Sequence, residues 1–197
     1  MSIRDQVSKL KRDHILNAAI SRFYEDGYEG TTIDKIAEML SATKPFVYTY
    51  FKSKADILDT ICQKVSRLLV DSVDAVKDVK EGPTEQLRRF VREYCERAIT
   101  YRQYTAIFFR EEKNISNAAR KIIARERRYV LDGLVAVLND GVKTGEFATR
   151  DVQALAFALI GMISWLHTWY DPAGRLSPGE VVACYEELSM KMVRPGV

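Results

Sequence analysis

The chain has 197 residues, 47% hydrophobic and 29% charged, with a net charge of +3. This is an ordinary composition for one or two packed domains, and so small a charge does not by itself mark a nucleic-acid binder. Three widely separated cysteines, Cys62, Cys95 and Cys184, exclude a disulfide framework and a zinc site of the usual spacing, and each is expected to be a small buried residue in a reducing cytosol.

Almost every segment carries the apolar period of a helix, and no alternating run is long enough for a strand. The polar start, Met1–Lys11, carries no secretory signal. The first helix is predicted over about Lys9–Asp26, with Ile15, Leu16, Ala19, Ile20 and Phe23 on one face and Gly27 as its stop. A short second helix covers about Thr32–Leu40, capped by Thr31 or Thr32, with Ile33, Ile36, Ala37 and Leu40 turned inward. Ser41-Ala42 makes a tight turn into a third, which has Thr43 as N-cap and Pro45 in its first turn, where a missing N–H costs nothing.

A fourth helix opens at Ser53–Asp56, a capping-box spacing, and runs to about Lys80, where Gly82-Pro83 breaks the chain. Thr84 is expected to cap a fifth, reaching about Tyr101. A sixth lies near Tyr104–Arg110, and a seventh runs from about Asn114 to Lys143, ended by Gly145. The eighth spans about Asp151–Tyr170 and is closed by Asp171-Pro172-Ala173-Gly174. Ser177-Pro178-Gly179-Glu180 starts a ninth, to about Val193. Ala154–Leu166 is the one membrane-like stretch. At thirteen residues it falls short of the roughly 20 a bilayer requires, so a core or interface helix in a cytoplasmic protein is expected.

The second and third helices, short and joined by a tight turn behind a longer packing helix, meet the requirement of a helix-turn-helix. Val47 and Phe51, four apart, face the core with the ring edge of Tyr48, which leaves Lys44, Phe46 and Thr49 outward. Thr43–Lys54 holds three lysines and no acid. Lys52 and Lys54, with the N–H groups that open the fourth helix, are placed to hold phosphates. An ordinary trio of core helices would share much of this pattern.

The run from Ile15 to Leu58 resembles the N-terminal domain of TetR-family repressors. The resemblance rests on the Ala18-Ala19 pair before Phe23, Gly27-Tyr28, Thr31-Thr32, Ile36-Ala37, Tyr48 and Phe51-Lys52-Ser53-Lys54. It implies an all-α fold of about nine helices, a helix-turn-helix DNA-binding domain over 1–58 and a ligand-binding and dimerisation domain over 59–197. It also implies a homodimer on a near-palindromic double-stranded operator. Carried across by position, Lys44, Pro45, Phe46 and Thr49 face the bases, Thr32, Tyr48, Tyr50 and Lys54 grip phosphates, and Thr43 joins the same DNA-binding set. Two departures leave operator preference open. Ser41-Ala42 stands where the family has Gly-Val, at some cost where φ is positive, and Tyr50 replaces the usual histidine.

In the C-terminal part, the eighth helix mixes Leu155, Leu159, Ile160, Ile163 and Leu166 with Ala154, Ala156, Ala158, Gly161 and Ser164. The ninth offers Val181, Val182, Tyr185, Leu188 and Met192 at helical spacing. In the family the last two helices build the dimer; the alternative is that they close the monomer's own core. Tyr94, Tyr101, Tyr104, Phe108, Trp165 and Trp169, with Arg110 and His167, either line a pocket for a small apolar effector or pack as core. Phe108–Glu112 and Trp165–Ser177 look like segments of TetR-type regulators of fatty-acid and aromatic-acid breakdown, some of which respond to acyl-CoA thioesters. Arginines on the fifth to seventh helices, among them Arg88, Arg89, Arg92 and Arg97, could then meet CoA phosphates, though many of them are expected to be plain surface charge.

No phosphate loop, nucleophile elbow or zinc spacing is present, and the two histidines, His14 and His167, lie far apart. An enzyme is not expected, nor a cofactor or bound metal. A helical ligand-binding protein without DNA binding is argued against by Lys44, Lys52 and Lys54. Within the family, a drug-responsive repressor of an efflux gene is the alternative.

Overall fold

The computed structural model describes residues 2–77 and 79–193. Among these the chain forms α1 (Ile3–Gly30), α2 (Ile33–Met39), α3 (Lys44–Tyr48), α4 (Lys54–Asp74), α5 (Pro83–Thr100) and α6 (Arg102–Glu111). A 3₁₀ turn at Glu112–Asn114 leads into α7 (Asn117–Thr144), α8 (Val152–Ser164), α9 (Leu166–Trp169) and α10 (Pro178–Val193). The described residues contain no strand.

They pack as two compact units. One takes Met1–Lys64 and Gln103–Lys121, the other Val65–Arg102 and Ile122–Val197. The sixth helix, placed by the sequence boundary at 58/59 with the C-terminal part, therefore packs in the first unit. Its Ile107 and Phe108 are buried, as are Phe23, Ile36, Val47, Phe51, Ile57 and Leu58 of the same unit. The core of the second unit is built on Leu87, Phe90, Leu134, Leu138, Leu159, Ile163, Leu166 and Val181. Each side chain of this size contributes roughly 1.5–3 kcal/mol by leaving water.

α1 begins at Ile3 rather than Lys9 because Ser2 and Asp5 form a reciprocal capping box. The Asp5 N–H donates to Ser2 Oγ at 3.2 Å and the Ser2 N–H to Asp5 Oδ2 at 3.0 Å. These bonds hold the Asp5 carboxyl below its usual range. Gly27 does not stop the helix. It kinks it, at φ 78°, and one further turn reaches Gly30. The carbonyls freed around the kink are taken by cations: Lys35 on Gly30, and Arg110 on Phe23 and Tyr24.

α2 is capped by Thr32, whose hydroxyl accepts from the Lys35 N–H at 3.2 Å, while buried Thr31 donates to the Gly27 carbonyl at 2.8 Å. It ends in a Schellman motif: the Ser41 N–H donates to Glu38 O and the Ala42 N–H to Ala37 O, both at 2.9 Å. Ser41 holds the left-handed position of that motif at φ 51°, where a Cβ costs roughly 1–2 kcal/mol. Ser41→Gly should therefore stabilise the protein by about 1 kcal/mol and raise its melting temperature, followed by circular dichroism at 222 nm, by roughly 2–4 °C. A fall would contradict this account of the turn.

α4 ends at Asp74, short of Lys80. The Asp74 carboxylate accepts from Tyr129 of α7 and pairs with Lys77 at 2.7 Å, which turns the chain out of the helix. Thr84 lies inside α5 instead of capping it, since Gly82 is the N-cap, and its hydroxyl donates to Glu146 at 2.6 Å.

The predicted eighth helix is two helices, α8 and α9, divided at Trp165. Ser164 causes the division. Its carbonyl is bonded by His167 Nδ1 at 2.6 Å, so the Thr168 N–H turns to Trp165 O at 3.0 Å. At thirteen residues, α8 is about 20 Å long, short of the roughly 30 Å of a bilayer's hydrocarbon. Ser177 and Glu180 complete the expected capping box of α10. Cys62 and Cys95 are buried, as expected, but Cys184 is exposed on α10. Burial pushes the Cys62 thiol up to about 12.

Candidate nucleic-acid interface and effector site

The helix-turn-helix is held from beneath by Val47 and Phe51, which are 0% and 1% exposed, against Ile36 and Ala37 of α2. Val47 anchors the five-residue helix and Phe51 the segment just after it, which leaves the other side of the helix exposed. Thr43, Lys44, Pro45 and Thr49 are exposed, and Phe46 and Tyr50 are half-buried with their rings edge to face at 5.4 Å. Tyr48 is 47% exposed, so its ring does not join the core as expected but stands among the outward residues. Thr43 occupies the N-cap position without a side-chain capping bond.

Lys44 is engaged by Asp34 of α2 at 2.9 Å, a residue that sequence reasoning passed over. The hydrogen bond and charge of Asp34 raise the Lys44 pKa. Both groups are exposed, so the pair opens at little cost.

Lys54 donates to the carbonyls of Tyr28 at 2.8 Å and Thr31 at 3.0 Å, and lies 4.2 Å from the centre of the Tyr28 ring. Two of its three N–H groups thus clamp the end of α1 against the start of α4, and one remains for a phosphate. Two N–H groups at the approach to α4 are also engaged. The Lys52 N–H donates to Asp56 Oδ2 at 2.8 Å and the Asp56 N–H to Ser53 Oγ at 3.1 Å. A phosphate there would have to displace a carboxylate. The Lys52 side chain is exposed.

The eight residues expected around an effector are distributed over the two units. Tyr104, Phe108 and Arg110 belong to the first and the other five to the second. Arg110 is structural: besides the carbonyls at the α1 kink it bonds Glu111 at 3.2 Å. Phe108 is buried core. Tyr94 is also core, its hydroxyl 2.6 Å from Ser164 Oγ, and burial pushes its pKa up to about 12. Tyr101 is half-buried as the C-cap of α5.

Trp165 and Trp169 are 60% and 45% exposed, on the outer side of α8 and α9, where Trp169 stacks on Tyr185 at 6.4 Å. They do not line an internal pocket. Half-buried His167 serves the Ser164 carbonyl. The arginines of α5 are already paired with carboxylates: Arg88 and Arg92 with Glu186, Arg89 and Arg97 with Glu93.

The second unit does contain an apolar slot. About 270 Å³ lies between Val73 at the end of α4 and Val76 just beyond it, Phe90 of α5, and Gly133, Leu134 and Val137 of α7, with Lys77, Gln86 and Asp140 also lining it. Gly133 permits this approach, since a Cβ there would press into Val73.

The outer side of α8 and α9 is apolar too. Ala154, Phe157, Ala158, Gly161, Trp165 and Trp169 are all exposed along it, and Cys184, Leu188 and Met192 form an exposed row on α10. Of the residues expected to face a partner, Leu155, Leu159, Ile163 and Leu166 are instead buried within the unit.

Residues 15–61 match the family described as "Bacterial regulatory proteins, tetR family", and residues 80–193 match "Tetracyclin repressor-like, C-terminal domain". The HTH-type transcriptional repressor KstR2 of Mycolicibacterium smegmatis is 25% identical over 174 residues, 87% of this chain and 84% of that protein. The TetR-family regulator PfmR of Thermus thermophilus superposes with a TM-score of 0.83 at 28% identity, over 92% of this chain and 99% of its own. AibR, crystallised with isovaleryl coenzyme A and operator DNA, shares the fold with a TM-score of 0.78 at 23% identity, over 90% of this chain and 97% of its own.

Proposed function

The chain belongs to the TetR family of bacterial regulatory proteins, and on that premise we propose that it is a cytoplasmic homodimeric repressor, released from a two-fold symmetric operator by a small apolar effector. It is a DNA-binding transcriptional regulator and not an enzyme. The observation that supports the operator reading most is the outward row Thr43, Lys44, Pro45, Tyr48 and Thr49 over the buried Val47–Phe51 anchor. In this reading residues 1–58 bind DNA, with Thr32, Phe46, Tyr50 and Lys54 beside that row, and 59–197 dimerise and take the effector. Kinship with a named repressor supports repression.

The dimer forms through the outer side of α8 and α9 together with the α10 row. An apolar face so continuous is costly to leave in water, and its small residues, Ala154, Ala158 and Gly161, allow two helices to approach closely. The effector's apolar part enters the Val73–Phe90–Leu134 slot. An acyl thioester of coenzyme A, or a related fatty- or aromatic-acid derivative, fits the slot's lining, and AibR supplies a precedent of the same fold. Entry there shifts the end of α4, and release follows if the ligand favours a conformation that mismatches the DNA.

The operator reading is tested by selecting bound duplexes from a random pool and measuring affinity against salt. A symmetric site should be enriched, and affinity should fall by roughly 10³–10⁵ between 50 and 200 mM if 6–10 phosphates are held. Thr49→Ala should shift base preference, whereas Asp34→Asn, which frees Lys44, should strengthen binding. An unenriched pool or a salt-independent affinity would refute the reading.

A further inference from the structure

The slot between α4, α5 and α7 has closely packed walls. Val73, Val76, Phe90 and Leu134 are between 1% and 6% exposed and belong to the core of the second unit. Gly133 brings the α7 backbone so near that a Cβ on it would lie 2.5 Å from Val73 Cγ1. A retreat of either wall would open voids in a close-packed interior, which resists it.

The ends are held as well. Beyond α4 the chain descends in short turns, with the Val76 N–H donating to Val73 O at 3.1 Å and the Val79 N–H to Val76 O at 3.0 Å. Tyr129 ties this strap to α7: its hydroxyl donates to Asp74, which pairs with Lys77 at 2.7 Å. Lys77 lines the slot and lies 4.9 Å from the centre of the Tyr129 ring. Since Tyr129 stands one turn before Gly133 on α7, the cluster closes that end. Gln86 holds the strap again through the Val79 carbonyl, at 3.1 Å, and exposed Asp140 lies where α7 leaves the slot.

Two measures of the enclosed space agree. The α7 residues that line it run from Gly133 to Asp140, about 10 Å at 1.5 Å per residue. An extended chain advances roughly 1.2 Å per bond, so about eight bonds fit that length. By volume, an apolar cavity of about 150 Å³ takes one benzene ring. The 270 Å³ here therefore takes roughly ten carbon-sized atoms, and lies below the roughly 300–1,000 Å³ of a site for a drug-sized ligand.

We infer that the slot selects its effector by size. It takes a short acyl chain or a single aromatic ring, of roughly ten non-hydrogen atoms at most, and leaves the remainder of a longer chain in water. This rests on the reading above that the effector's apolar part enters the slot, and it narrows the class of effector within that reading.

The test is calorimetric titration of the full-length protein with a series of CoA thioesters, each referred to CoA alone. The series runs through acetyl, butyryl, hexanoyl, octanoyl, decanoyl, dodecanoyl and palmitoyl. Each methylene that enters an apolar site raises affinity by about fourfold. Affinity should climb at about that rate to octanoyl and then stay level, within about threefold, to palmitoyl. Benzoyl-CoA should bind roughly tenfold or more tightly than acetyl-CoA. Val137 lines the slot and is only partly buried, so its size can be changed without removing a core wall. Val137→Ala vacates the space of two methyl groups and should move the level point to decanoyl, whereas Val137→Leu should move it to a shorter chain.

A climb that continues from octanoyl to palmitoyl, in a protein whose affinities still respond to the Val137 substitutions, would overturn the size limit and leave the slot as the effector site. Affinities indifferent to both Val137 substitutions would place the ligand elsewhere and refute the slot reading itself. So would a wild type that binds no member of the series more tightly than CoA.

Discussion

Gly161→Glu should convert the dimer to monomers and weaken operator binding by roughly 10²–10⁴-fold, because two half-sites are then no longer held by one linked pair of readers. Gly161 is exposed, and a Cβ there meets nothing within 4 Å. The substitution is therefore harmless to the subunit by itself. In the proposed interface, however, it would bury two unpaired carboxylates related by symmetry. Sedimentation velocity reads the first effect and operator titration the second. Leu159→Arg would be no substitute: Leu159 is fully buried in the unit's own core, so that change would unfold the subunit. A Gly161→Glu protein that sediments as the wild-type dimer would rule out the α8–α10 interface.

Gly141→Ala should lower stability by about 3 kcal/mol, and the melting temperature by roughly 6–12 °C. The ring of Phe147, 4% exposed, lies against Gly141, and a Cβ there would come within 2.0 Å of its Cδ2 and 2.4 Å of its Cε2. The main chain that carries the ring is held as well, since the Phe147 N–H donates to Gly141 O at 2.9 Å and the Ala148 N–H to Val193 O at 2.8 Å. The backbone therefore cannot back away to relieve the overlap, and the ring has to swing out of its site. A double-mutant cycle separates this from helix propensity, which alone would make alanine favourable. Once Phe147→Ala has removed the ring, adding Gly141→Ala should cost nothing further. Equal losses in both backgrounds would refute the steric account.

What could be read in the sequence was local. The caps at Thr32 and at Ser177–Glu180 were legible because a cap is decided within three or four residues. The same signal stands at Ser2–Asp5, where a Ser-x-x-Asp spacing extends α1, and it passed unread. The apolar period assigned Ile15, Phe23, Ile36, Val47 and Phe51 to the core of the first unit correctly.

The placement of the expected effector residues was not legible for a different reason. α8 is apolar on every side, so periodicity cannot say which side faces the core and which a partner. Trp165 was thus indistinguishable from Leu166, yet one is 60% exposed and the other fully buried. Arg110 reads as a surface arginine or an anion ligand until residues 86 and 87 positions away close on it. The break at Trp165 carries no proline or glycine; it comes from an imidazole bonding a carbonyl in the turn that precedes it.

The exposed indoles of α8 and α9 have a spectroscopic consequence. Trp165 and Trp169 are the chain's only two tryptophans, and both stand on the outer face rather than beside the Val73–Phe90 slot. On the proposed pairing, intrinsic fluorescence becomes a gauge of assembly: water would quench and redden the emission of a separated subunit, and pairing through this face would shield both rings at once. An effector seated in the slot touches neither indole, so its arrival has to be followed with a labelled ligand or by calorimetry.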